Sequence, residues 1–206
     1  MGRGFSRVAL GTLAAGLIFG TAASAIAQPA TVRVRGTIEK VDGGTLTVKS
    51  RGGDTVTVKV PDNVGVAGVV KRTLADIKPN DFVGIAAMPQ AGKPSHALEV
   101  LIFPEAMRGT GEGHRGWDLL PESTMTSATV AETVKQVDGQ MLTLKYKEGQ
   151  QTFVVAPETP IVSFALGEKS ELKPGAVIFI SGATKGDDGS LSAARVTVGR
   201  DVPPPM

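Results

Sequence analysis

The chain has no cysteine, which excludes disulfides, thiolate metal sites and cysteine nucleophiles. Histidine occurs twice, at His96 and His114, so any imidazole-based chemistry has two candidates. Aromatic residues make up 4% of the chain, with one Trp and one Tyr. Cores must then be packed by Val, Ile, Leu and Ala, and there are few platforms on which bases would stack. No G-x-S-x-G elbow occurs, and a Ser-His-Asp arrangement would have to use one of the two His. The inventory reads as that of a non-enzymatic binding or scaffold protein of the cell envelope, without a cofactor. Beyond the N-terminus no apolar run approaches the ~20 residues that a membrane-spanning helix requires.

What is present begins with export. Arg3 and Arg7 precede an apolar run from Val8 to Phe19, and Ala25-Ile26-Ala27 gives small residues around a cleavage point before Gln28. This pattern predicts a secretory signal peptide over 1–27, and a periplasmic or secreted protein. Cleavage would leave 179 of 206 residues, with 20 basic side chains facing 20 acidic ones. A balanced charge argues against nucleic acid or an anionic membrane surface as partner.

Self-comparison predicts a duplication. "VRGTIEKVDGGTLTVKSRGGDTVTVKVPDNV" (Val34 to Val64) matches "VAETVKQVDGQMLTLKYKEGQQTFVVAPETPI" (Val130 to Ile161), with Val41-Asp42-Gly43 on Val137-Asp138-Gly139 at a shift of 96. "LADIKPNDFVGIA" then matches "KSELKPGAVIFIS", and "HALEVLI" matches "SAARVTV". Each repeat alternates apolar and polar residues as half-buried strands do. Asp-Gly turns join the first two strands. A single helical turn is expected near Thr73–Ile77 and Lys169–Leu172, ended by Lys78-Pro79-Asn80 and Lys173-Pro174-Gly175. Five strands with a small helix between the third and fourth predict an all-β protein of two tandem, small, OB-like Greek-key barrels. The expected boundaries are 28–103 and 127–200, with a connector over 104–126 and a Pro-rich tail over 201–206.

On "GTIEKVDGGTLTVK", "DIKPNDFVGIAA" and "ELKPGAVIFISGA", each repeat resembles a bacterial family of exported OB-like β-barrel domains of unassigned function. The resemblance covers most of both repeats but not the connector, and it implies a fold rather than a chemistry. Similar exported proteins are sometimes labelled as metal-transport components.

The connector concentrates the rare side chains. Between Pro104 and Thr126 lie Gly109, Gly111, Gly113 and Gly116 together with Glu105, Arg108, Glu112, His114, Arg115, Trp117 and Asp118. A flexible linker would lack the Trp and leucines, so Trp117, Leu119 and Leu120 are expected to be buried against the barrels. "GEGHRG" matches G-x-G-x-x-G, but no apolar helix follows it, so a nucleotide loop is not expected. Arg108 and Arg115 are expected to pair with Glu112 or Asp118. If the connector binds anything, Arg108, Glu112, His114, Arg115, Trp117 and Asp118 are the candidate residues, for a small anionic ligand or an envelope protein. The alternative is a metal accessory site of His114, Glu112 and Asp118, with Glu105 in reserve. His96 is expected on the surface, since its repeat partner is Ser192, and Asp187-Asp188-Gly189 reads as a hairpin turn rather than a calcium loop.

Overall fold

The computed structural model describes residues 31–136, 139–186 and 188–204. The expected signal peptide and the turn residues Asp138 and Asp187 lie outside the described residues. The described chain is all-β, with three single 3-10 turns and no α-helix. In chain order the strands are β1 (Thr31–Asp42), β2 (Thr45–Ser50), β3 (Thr55–Lys59), β4 (Gly65–Lys71), β5 (Phe82–Gln90), β6 (Lys93–Ile102) and β7 (Gly113–Gly116). The second half holds β8 (Thr124–Gln136), β9 (Gly139–Tyr146), β10 (Gly149–Val155), β11 (Ile161–Leu166), β12 (Val177–Lys185), β13 (Leu191–Ser192) and β14 (Arg195–Gly199).

Local signals act as expected. Gly43 turns between β1 and β2 at φ 56, and Gly92 between β5 and β6 at φ 69. Lys78-Pro79-Asn80-Asp81 is a type II turn: Pro fixes the second position, Asn80 takes φ 73, and the Asp81 N–H donates to the Lys78 carbonyl at 3.1 Å. Lys173-Pro174-Gly175-Ala176 repeats it, with Gly175 at φ 87 and a 3.0 Å bond. The expected helical turns are 3-10 turns at Leu74–Asp76 and Lys169–Glu171.

The pairing does not follow the expected boundary between repeats. β1, β2 and β3 form an antiparallel meander. It is closed by strands of the second half: β13 runs parallel to β3, and β12 runs antiparallel to both β13 and β1. This gives a closed five-strand barrel. The reciprocal circuit uses β8, β9 and β10, closed by β6 parallel to β10 and β5 antiparallel to β6 and β8. The expectation of one self-contained barrel over 28–103 and another over 127–200 is therefore corrected. The first half lends its last two strands to the second circuit and borrows two in return, within one continuously bonded sheet.

Two strands absent from the expected five per repeat join the circuits. β4 lies between β14 and β11, and β11 between β4 and β6. β4 and β11 run antiparallel, with Phe164 opposite Val69 and Ala165 opposite Gly68. Those partners are 95 and 97 positions apart, bracketing the sequence shift of 96, as two equivalent strands meeting on a local twofold axis must be. Arg200 fastens this seam. It donates to both Glu171 carboxylate oxygens at 2.7 Å and to the Leu166 carbonyl at 2.6 Å. Its guanidinium lies against the bare Cα of Gly68, where a side chain would collide with it.

The cores confirm the exchange. One packs Val34, Ile38, Leu46 and Val48 against Ile178, Ile180, Val196 and Val198. The other packs Val83, Ile85 and Val100 against Val130, Leu142, Leu144 and Phe153. Burying each large aliphatic side chain is worth about 1.5–3 kcal/mol, and neither core is complete without both halves. Gly36 lets β1 curl: a Cβ there would strike the Lys49 carbonyl and Val48.

Candidate functional site

Val83, Ile85 and Ala87 of β5, Ala97 and Val100 of β6, Ile178, Ile180 and Ala183 of β12, and Val196 and Val198 of β14 enter the barrel cores. The intervening residues face outward, and strands have only these two faces. The outward residues meet in a cavity of about 350 Å³ where the two circuits adjoin. From β5 and β12 come Gly84, Ala86, Phe179 and Ser181; from β6 and β14 come Glu99, Leu101, Arg195 and Thr197. Ala67 of β4 and Phe164 of β11 form its floor along the seam. These contributions come in pairs 95 to 97 positions apart, so the cavity sits astride the local twofold axis.

The connector closes the remaining side. Phe103 and Met107 line the cavity at one end of the segment, and Gly111, Arg115, Trp117 and Met125 line it at the other. Phe103 packs edge-on to Phe164 with ring centroids 6.0 Å apart, and tilted on Phe82 at 5.4 Å. Four of the seven aromatic side chains among the described residues (Phe103, Trp117, Phe164 and Phe179) therefore sit around this one space. Gly84 keeps it open. A Cβ there would lie 3.2 Å from the Phe103 ring, 3.6 Å from Ser127 Oγ and 3.7 Å from Met125 Sδ. A larger hollow of about 520 Å³, along Lys71–Leu74 and Pro157–Val162, has no aromatic residue in its wall.

Trp117 is held by arginines. The guanidiniums of Arg33, Arg35 and Arg115 lie 4.3, 5.5 and 5.6 Å from its ring centroid. Arg35 also covers Phe179, its cross-strand neighbour, at 4.6 Å. Arg35 is then clamped by a bidentate pair to Asp118, at 2.9 and 3.1 Å. Partial burial would raise the Asp118 pKa, but the Arg35 hydrogen bonds and the Arg35 and Arg33 charges hold it below the usual carboxylate value. The Trp117 Nε1–H is buried without an acceptor among the described residues.

The sequence-derived candidates separate in space. Arg115 and Trp117 line the cavity. Arg115 donates to the Gly111 carbonyl at 2.7 Å and has no carboxylate within ion-pair distance among the described residues. Desolvation beside the indole, then the Arg33 charge, pull its pKa below the ordinary arginine value. Asp118 belongs to β1 through Arg35 rather than to Arg108 or Arg115. Arg108 pairs with Glu105 at 2.6 Å and reaches the Asn80 carbonyl, so the expected pairing with Glu112 or Asp118 is corrected. The Arg108–Glu105 hydrogen bonds raise the pKa of Arg108 and lower that of Glu105. Glu112 is exposed and forms no ion pair among the described residues.

His114 bonds Thr126 Oγ1 at 2.7 Å and stacks on Tyr146 with centroids 6.5 Å apart. It follows that His114, Glu112 and Asp118 do not converge; no group of three His, Asp or Glu suited to a metal occurs among the described residues. His96 lies within β6, part-buried, rather than on the surface before it. Trp117 and Leu119 are only half-buried, and Leu120 is 47% exposed, against the expectation that all three are buried. "GHRG" is the strand β7, added to the edge of β8.

Glu99, Phe164, Phe179 and Arg195 were not sequence candidates. The signal that could have found them is the aromatic count: Phe is scarce, yet Phe164 and Phe179 stand where an outward-facing strand residue is usually polar. No family model, curated protein or solved structure matches the chain.

Proposed function

We propose that this is an exported, non-enzymatic binding protein of the bacterial envelope, built as two intertwined OB-like barrels, whose ligand is a small organic molecule held between them. In each circuit the strand order and the parallel closure of the third strand by the fifth support the OB-like reading, and the repeated sequence supports descent from one barrel unit. The observation that carries the functional reading is the cavity itself. Its volume falls at the lower end of the range for ligand sites, about 300–1,000 Å³, and its wall is largely apolar with a few polar groups, as such sites are. The aromatic side chains that a β-protein would ordinarily bury in its cores are spent on this wall instead.

Trp117 is the only Trp of the chain, so its emission reports on the site directly. A library of small organic acids, amides, amines and alcohols, read by Trp117 fluorescence and by thermal shift, is the test. Saturable binding that raises the melting temperature and is abolished by Gly84→Leu supports the reading. Binding unaffected by Gly84→Leu, or no hit across the library, overturns it.

A further inference from the structure

Resting on that reading, we infer that the ligand is a small organic monoanion with an apolar or aromatic body, and that Arg115 takes its acid group. Arg33, Arg35, Arg108 and Arg200 are each held by a carboxylate. Arg115 lines the cavity with none within ion-pair distance among the described residues, and its nearest charged influence is another cation, Arg33. One of its terminal nitrogens is fixed by the Gly111 carbonyl. That bond orients the planar fork and leaves donors over for a carboxylate or sulfonate. Phe103, Phe164 and Phe179 supply the surface against which a ring or short chain packs. Trp117 adds a buried indole N–H that has no acceptor among the described residues.

Charge inside the cavity favours the same sign of ligand. The wall carries Arg115 and Arg195 against one acid, Glu99. Glu99 is 4% exposed and engaged by a neighbour, whereas both arginines are exposed. An incoming anion meets the two cations first. A cation meets them too, and would have to displace the interaction Glu99 already makes.

Three probes of one shape separate the outcomes: 3-phenylpropionate, 3-phenylpropanamide and 3-phenylpropylamine, titrated into the intact protein by Trp117 fluorescence and calorimetry. The acid is expected to bind at least about tenfold more tightly than the amide, as charge-assisted bonds to a guanidinium exceed neutral ones. The advantage should shrink as salt rises. Arg115→Gln should reduce the acid to the level of the amide and leave the amide unchanged, while Arg108→Gln changes neither. If Arg115→Gln does not fold, Arg115→Lys and the salt series on the unaltered protein still decide. Equal affinity for acid and amide overturns the anion while the binding reading stands. Preference for the amine overturns it in favour of Glu99. Failure of all three probes overturns this ligand class and leaves the cavity to the broader library.

Discussion

Val83 and Ile178, Ile85 and Ile180, Val100 and Val196 are matched positions of the two halves, and all six are buried in the barrel cores. One residue away on the same strands the match fails: Gly84 corresponds to Phe179, Ala86 to Ser181, Glu99 to Arg195 and Leu101 to Thr197. The inner faces answer to the same physical demand, a small barrel filled by aliphatic side chains, so the two copies agree. The outer faces meet each other across the axis. Two identical faces would give a symmetric wall, with the same group on both sides. The observed pairs set a large ring against a bare backbone and an acid against a base, which leaves a space with two unlike sides. The difference locates specialisation on the cavity wall and leaves the barrels as its support.

The most severe way to break the comparison is to separate the halves. Fragments ending at 103 and beginning at 124 each lack the strands that close their own meander. Alone, neither should give the circular dichroism or cooperative melt of the intact protein; mixed, they should recover both. A monomeric, cooperatively folded single fragment would show that the exchange of strands is not needed.

Next come the matched core leucines. Leu46→Ala and Leu142→Ala each remove a side chain no more than 1% exposed, and each should cost about 2–5 kcal/mol in denaturant melts. Because both cores draw on both halves, each variant should unfold in one transition. Two separated transitions would mean that the circuits are independent.

A smaller effect sharpens the outer-face contrast. Gly84→Leu drives a side chain toward Phe103, Ser127 and Met125, and overpacking of this kind costs about 1–3 kcal/mol. Ser181→Ala, on the wall of the same cavity, should stay within about 0.5 kcal/mol. Equal costs would show that the space beside Gly84 accommodates the larger side chain without strain.

The smallest effect concerns the seam. Hydrogen bonds from Arg200, foremost, pull the Glu171 pKa from 4.5 down to about 2 despite some burial. A carboxylate with a lowered folded-state pKa adds stability above its unfolded pKa. That stability is lost as pH falls from about 4.5 toward 2. Glu171→Gln should therefore be the less stable protein at pH 7, by a modest margin because the pair is partly exposed, and should converge with the unaltered protein near pH 2. A gap that persists there would assign the effect to packing.

Much of the fold was legible residue by residue. Pro79 with Asn80, and Pro174 with Gly175, announce their turns because each pair fits one turn geometry. The alternation in β1, β2, β9 and β12 announces strands. The exchange of strands was not legible, for a physical reason: when two repeats carry the same core pattern, β12 fits β1 as well as it would fit β8. β4 and β11 were missed because "GVAGVVK" and "IVSFAL" are short apolar runs without alternation, the pattern of strands covered on both faces. Of the site, Arg115 and Trp117 were found through rarity. Phe164, Phe179 and Glu99 were not, because the wall is assembled from single outward residues on many strands, and no contiguous stretch contains it.

The strand exchange also sets a clock. Thr31 at the start of β1 pairs with Thr184 near the end of β12, 153 positions later. A chain that emerges from its N-terminus cannot close either barrel early: the first waits for β12 and β13, and the second for β10. Folding dominated by such distant pairings is slow. The second barrel can close once β10 has emerged, whereas the first, and with it the cavity between them, waits for β13, so β1 and β3 stay without their closing partners through almost the whole emergence of the chain.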